Sequence, residues 1–187
     1  PVPYSNHMSF VQRLKAFFSF ALAARKKALQ LDADIIFATS TPLTIALPAV
    51  PASRKKEIPM VFEVRDLWPE MPIAVGALKN PLLRFAAYRL EHWAYHNAEA
   101  VVALSPGMKE GVLRTGYPAK KVAVIPNSSD NVEFQYNAEA GARFRAQREW
   151  LGERPLLVYT GTFGPTNGVG YLVPVAQELL RLNSDIR

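Results

Sequence analysis

Short apolar runs recur along this chain, and each is followed by a segment of helical periodicity. The runs are Asp34-Ile35-Ile36-Phe37-Ala38-Thr39, Val61-Phe62-Glu63-Val64, Ala100-Val101-Val102-Ala103-Leu104 and Lys121-Val122-Ala123-Val124-Ile125. They read as short buried strands. Residues 9–30 read as a helix, because Phe10, Leu14, Phe17, Phe18, Ala21 and Leu22 fall near helical spacing. A second helix is predicted over 40–50, with Ser40 and Thr41 suited to its N-cap and Pro42 to its first turn. Asn80-Pro81 opens a third, running to about His96, and Ser105-Pro106 caps a fourth that ends near Gly116. Strands alternating with helices imply βαβ units. The expected fold is therefore α/β: a Rossmann-like, mainly parallel sheet with helices on both faces.

The second strand runs straight into Glu63-Val64-Arg65-Asp66-Leu67-Trp68-Pro69-Glu70. In an open α/β sheet, ligands bind in the crevice at the carboxyl ends of the strands. Glu63, Arg65, Asp66 and Glu70 would stand there, and Trp68 beside them. The other reading of Arg65 and Asp66 is that they brace the loop through hydrogen bonds. Glu70 reads equally well as the first residue of a helix.

Composition narrows the alternatives. Of the 187 residues, 49% are hydrophobic and 20% charged, which excludes a disordered chain. Without cysteine there is no disulfide and no thiolate ligand or nucleophile, as suits a reducing compartment. No apolar run approaches the roughly 20 residues that span a bilayer. No signal peptide is visible, and because the chain opens on Pro1 its start is expected to lie upstream. The net charge of +6 is unevenly spread. Arg13, Lys15, Arg25, Lys26, Lys27, Arg54, Lys55 and Lys56 crowd the first third, against Asp32, Asp34 and Glu57. Such asymmetry suggests an anionic partner, whether a nucleic acid, a membrane surface or a phosphorylated substrate, or else a solvated basic face. The Phe stripe of residues 9–22 reads as core, with a helix lying in a membrane interface as the alternative.

After Asn127 the character changes. Ser128-Ser129-Asp130-Asn131 is a polar break, and residues 138–151 read as an exposed, charged helix. Pro155–Thr160 reads as a new strand, followed by the glycine-rich Gly161-Thr162-Phe163-Gly164-Pro165-Thr166-Asn167-Gly168-Val169-Gly170 and a last helix to about Arg181. Small residues between strand and helix allow close backbone approach to a phosphate at a helix N-terminus. The stretch lacks both the Walker Gly-Lys-Ser/Thr and the dinucleotide spacing, so a tight strand-to-helix turn is the competing reading. His92 and His96 share a helix face at zinc-ligand spacing, but no suitably spaced third ligand accompanies them. They read as surface or packing residues, and no metal site is expected.

Five segments, in order, together resemble the family four glycosyltransferases. They are Phe62–Glu70 followed by Gly76-Ala77-Leu78-Lys79-Asn80-Pro81, then Ala103–Lys109, Val124-Ile125-Pro126-Asn127 and Tyr159–Gly164. The likeness covers nearly the whole chain and is strongest to the branch that builds bacterial surface polysaccharides, including N-acetylfucosaminyl transferases. It implies one half of a GT-B architecture, in which two Rossmann-like domains face a cleft. Residues 1–130 would be the acceptor-side domain without its first strand. Residues 131–154 would be a linker and helix, and 155–187 the start of the nucleotide-sugar domain. The family's Glu-x7-Glu element would lie beyond these residues, and the 187 residues alone are expected to be inactive.

The resemblance further implies transfer of a hexose or amino sugar from a nucleotide-sugar donor to a lipid-linked or saccharide acceptor. The setting would be lipopolysaccharide, O-antigen or other surface-polysaccharide synthesis. Transfer would be retaining, with neither metal nor cofactor, in the cytoplasm or peripherally on the inner face of the plasma membrane, and with no nucleic-acid partner. On this pattern Asp66 and Arg65 are the catalytic candidates, with Glu63, Trp68, Ser105 and Asn127 facing substrate. Gly161, Thr162, Gly164, Asn167 and Gly168 would hold the donor phosphates. The chain departs from many relatives in placing Thr162 and Asn167 where they carry Arg and Lys. Either backbone N–H groups and later residues bind the diphosphate, or the donor differs. Two rivals are a nucleotide-binding enzyme such as an epimerase and a non-catalytic module for an anionic membrane. The first should show GxGxxG and a Tyr-x3-Lys pair, and neither is visible.

Overall fold

A computed structural model describes all residues except 1, 4, 6, 7, 165, 166 and 183, and all remaining side chains except those of Phe10 and Leu14. Pro165 and Thr166 of the glycine-rich stretch, and the Phe10 and Leu14 positions of the predicted apolar stripe, thus lie outside the described groups. The chain divides into two units, Pro1–Asn127 and Ser128–Arg187.

The first unit runs α1 (Phe10–Gln30), β1 (Ile36–Thr39), a 3-10 turn (Leu43–Ile45), α2 (Ala46–Lys56), β2 (Met60–Val64), α3 (Glu70–Ala74), α4 (Pro81–His96), β3 (Ala100–Ala103), α5 (Pro106–Arg114) and β4 (Val122–Val124). All four strands are parallel and lie in the order β1-β2-β3-β4. Local signals set the helix starts. Ser9 and Gln12 form a reciprocal capping box at α1. Asn80 Oδ1 accepts from the Leu82 and Leu83 N–H groups at 2.9 and 3.3 Å, and Pro81 fills the first helical position.

The strand order and the right-handed rule for parallel crossovers place α2, α4 and α5 on the same side of the sheet. The core sits there. Met60, Phe62 and Val64 of β2 and Val101 and Ala103 of β3 are buried with Ala46 and Val50 of α2, Tyr95 of α4 and Val112 of α5. Tyr95 meets Phe62 edge to face, with ring centroids 5.7 Å apart. On the opposite face Phe37 and Ile125 remain exposed.

One predicted element starts later than the sequence indicates. Ser40 and Thr41 do not cap the second helix: α2 begins only at Ala46, after a 3-10 turn, and neither start carries a side-chain cap bond. Their hydroxyls instead reach across to the loop after β2.

The second unit holds α6 (Ala138–Ala146) and α7 (Leu172–Arg181). The predicted helix over 138–151 therefore ends five residues early, where Arg145 turns to the carbonyls of Gly152 and Arg154. Residues 155–160 form no strand. A strand needs a neighbour for its N–H and C=O groups, and among the described residues the backbone of this stretch pairs only with Arg187, through Leu157 N–H and the Pro155 carbonyl. Leu151 is the only buried apolar side chain described in this unit. An apolar groove of about 700 Å³ lies between Leu157–Tyr159 and α7.

Candidate functional site

The carboxyl ends of β1 and β2 are tied together by a polar lattice. The ladder extends one step past β1, with the Ser40 N–H donating to the Glu63 carbonyl at 2.9 Å. Three successive hydroxyls of the β1 end then engage the β2 loop. Thr39 Oγ1 donates to Glu63 Oε2. Buried Ser40 Oγ accepts the Arg65 N–H at 3.0 Å. Thr41 Oγ1 donates to Asp66 Oδ2 at 2.9 Å.

Strand alternation explains this division of labour. Thr39 stands opposite Glu63 in the register, on one face of the sheet. Ser40 turns to the other face and disappears into the core side. One oxygen of each carboxylate is thereby held by a threonine, and the other has no hydrogen-bond partner among the described residues. Arg65 is exposed beside them and Asp66 half-buried. Glu63, Arg65 and Asp66 thus come together, as the sequence indicated. Thr39, Ser40 and Thr41 join them unpredicted, because a Ser-Thr-Pro string before an apolar segment reads locally as a helix cap.

The loop is pressed onto the domain by its apolar residues. A Cβ on Gly111 of α5 would lie 2.6 Å from a Leu67 methyl, so glycine there makes room for Leu67. Trp68 packs against the core, and its Nε1 is buried without a hydrogen-bond partner among the described residues. Glu70 opens α3 and pairs with Arg114 at 3.5 Å.

Nearby on α4, Glu91 is only 6% exposed. Burial raises its pKa from the usual 4.5 to about 7, with Glu70 adding to the effect and the Tyr95 hydrogen bond and Arg114 opposing it. Burial and the adjoining Glu91 also push the Tyr95 hydroxyl up. Glu91 went unnoticed in the sequence because one acid on a mixed helix looks like a solvated residue.

Other candidates occupy different settings. Ser105 Oγ accepts from the Met108 N–H at 3.2 Å, so it caps α5 at the end of β3. Asn127 is exposed at the end of the first unit. His92 and His96 stack at 3.9 Å between ring centroids, and His96 Nε2 lies 3.1 Å from the Thr115 carbonyl oxygen. Among the described residues no three His, Asp or Glu side chains are grouped to hold a metal.

The glycine-rich stretch belongs to the second unit and closes on itself. The Thr162 carbonyl accepts from Tyr159 Oη at 3.1 Å, from Asn167 Nδ2 at 2.6 Å and from the Gly164 N–H at 3.1 Å. A Cβ on Gly161 would lie 2.8 Å from Tyr159 Oη. Gly168 takes a left-handed φ of 59°, which favours glycine, and leads through Val169–Tyr171 into α7.

Residues 1–128 match the glycosyl transferase 4-like domain. The chain is 36% identical over 131 residues to alpha-maltose-1-phosphate synthase of Mycolicibacterium smegmatis, a match covering 65% of this chain and 32% of that enzyme. Among solved structures it is similar to Anabaena Alr3699/HepE in complex with UDP, at TM-score 0.58 and 14% identity, over 96% of this chain and 53% of that one. The same protein with UDP and glucose aligns at TM-score 0.55 and 16% identity, over 98% and 54%. The chain therefore spans about a third of the curated relative and about half of the structural one.

Proposed function

Because the chain belongs to the glycosyl transferase 4-like domain family, we propose that it forms the acceptor side of a glycosyltransferase acting on a nucleotide-sugar donor. The acceptor in this reading is a lipid-linked saccharide and the product a cell-surface polysaccharide or lipopolysaccharide, as in the N-acetylfucosaminyl-transferase-like branch. The transferred unit is a hexose or amino sugar. The enzyme works on the cytoplasmic side of the membrane, without metal or cofactor. HepE, solved with UDP, with UDP-glucose, and with UDP and glucose, supports a nucleotide-sugar donor for this fold.

The observation that carries the reading is the lattice at the ends of β1 and β2. Held through Oδ2 by Thr41, Asp66 presents its other oxygen to a sugar hydroxyl, and charge makes it a strong acceptor. Arg65 supplies a cation for developing negative charge, and Glu63 orients a second hydroxyl. Trp68, Ser105 and Asn127 complete the acceptor side. In this reading the loop of Gly161, Thr162, Gly164, Asn167 and Gly168 receives the donor phosphates, the Gly164 and Asn167 N–H groups being already paired with the Thr162 and Gly164 carbonyls. Transfer is retaining, with the leaving diphosphate taking the acceptor proton.

Transfer by the full-length protein from a panel of nucleotide sugars to a membrane-lipid extract tests this. In Asp66→Ala the rate should fall about a hundredfold or more, and in Thr41→Val about tenfold, with circular dichroism unchanged. Wild-type rates in folded Asp66→Ala would exclude its catalytic role.

A further inference from the structure

Glu91 is a buried carboxyl that the proposed transfer does not use, and the topology puts it beneath the Asp66 loop. Helix α4 belongs to the crossover between parallel β2 and β3, so it runs antiparallel to both. Its Tyr95 packs on Phe62 of β2. Four residues back along a helix is about 6 Å, close to the rise of two strand residues. Glu91 therefore lies level with Val64, the last residue of β2. Helical side chains also lean toward the N-terminus, which here is toward the loop.

The loop and α3 form one piece. The Leu67 carbonyl accepts the Met71 N–H at 2.9 Å, and the Pro69 carbonyl accepts the Ile73 N–H at 3.2 Å. Asp66 is the residue just before this piece. Two contacts fasten the piece to α5: Leu67 in the space left at Gly111, and Glu70 on Arg114, three residues further along the same helix face.

The charged and titratable groups acting on Glu91 are few. Tyr95 hydrogen-bonds it from its own helix, Glu70 of α3 opposes its ionisation and Arg114 of α5 favours it. The 3-10 turn and α2, which also pack on α4, bring buried Leu43, Ala46 and Val50 to the shared core. The cations of α2, Arg54, Lys55 and Lys56, stand in its last turn. With Glu91 uncharged, Arg114 is left to Glu70. Ionised, Glu91 repels Glu70 and competes for Arg114, and both forces act on the first residue of α3.

We propose that Glu91 is a positioning residue for Arg65 and Asp66, acting through Glu70 at the start of α3. Uncharged, it leaves α3 seated and Asp66 held by Thr41. Charged, it loosens both, so transfer falls as pH rises through about 7. The link between Glu91 and the loop stands on the geometry, whereas its effect on transfer rests on the glycosyltransferase reading.

Amide hydrogen exchange of the 187-residue chain tests the link, at about pH 6 and about pH 8 with intrinsic rates corrected. Peptides spanning 65–75 should exchange about tenfold faster at the higher pH, at a rate that low urea leaves unchanged, as local opening requires. Glu91→Gln and Glu70→Gln should each reduce this response to about twofold or less, while Glu110→Gln, an exposed acid of α5, should keep it. An unresponsive wild-type loop, or a full response in Glu91→Gln or Glu70→Gln, would overturn the proposal. So would a response confined to the β3 peptides, or a loop rate that climbs with urea, since Glu91 would then set global stability alone. In the full-length protein, kcat should fall about fivefold more than in Glu91→Gln over the same pH range, with KM little changed. Transfer with identical pH profiles in the two proteins would refute the positioning role and leave the transfer reading intact. A loop that responds as expected in a protein that transfers no sugar would refute the transfer reading and leave the link standing.

Discussion

At the proposed site, the partners of each residue decide what it can do. Asp66 on an exposed loop would sample many rotamers, but Thr41 removes that freedom and fixes one oxygen. Ser40 does the same for the loop backbone at Arg65. Glu91 is the opposite case, a carboxyl held away from water. Its pKa rises from 4.5 to about 7 on burial, so between those values the folded state binds more protons than the unfolded one. Its contribution to stability is then full below 4.5 and is lost as pH rises through about 7. Denaturant midpoints measured across this range should fall with pH in the wild type and stay flatter in Glu91→Gln. The full difference is on the order of 3 kcal/mol. Parallel profiles for the two proteins would show that another group sets the pH response.

At the scale of elements, caps position the strand-end loops. Asn80 satisfies two N–H groups at the start of α4, the helix that brings Glu91 and Tyr95 beneath the β2 loop. Asn80→Ala should cost about 1 kcal/mol, read as a lower denaturant midpoint at unchanged slope. An unaltered midpoint would mean that packing further along the helix, such as Tyr95 against Phe62, rather than capping, holds α4. The same logic explains why 155–160 fails as a strand. Its apolar residues suit a sheet, yet among the described residues no neighbouring strand receives their backbone groups.

For the whole molecule, the two units differ in how much they bury. The first carries the connected core around Phe62 and Tyr95, whereas the second buries Leu151 alone among the described apolar side chains. Phe134 and Tyr136, 73% and 94% exposed, follow the first unit in a segment without regular structure. Brief chymotrypsin treatment should cut there first and leave a resistant fragment ending near residue 134 or 136. Early cleavage at Tyr95 or Phe62 instead would contradict the core described for that unit.

Four of the five predicted strands, their parallel arrangement, and the gathering of Glu63, Arg65 and Asp66 at a strand end were legible in the amino-acid sequence. Apolar runs and cap residues act over a few neighbours, and a parallel sheet converts that local order into position. The hydroxyls of Thr39, Ser40 and Thr41 could not be read this way. Their partners lie 24 and 25 residues away, across a strand register that exists only once the sheet has formed. Nor could the raised pKa of Glu91, because burial is a property of the packed helices and not of any window of sequence. Sequence alone determined the four parallel strands, the helices between them and the residues that stand at the end of β2. Tertiary structure decided which of those residues are held, buried or left exposed, since dielectric and hydrogen-bond partners are set by neighbours distant along the chain.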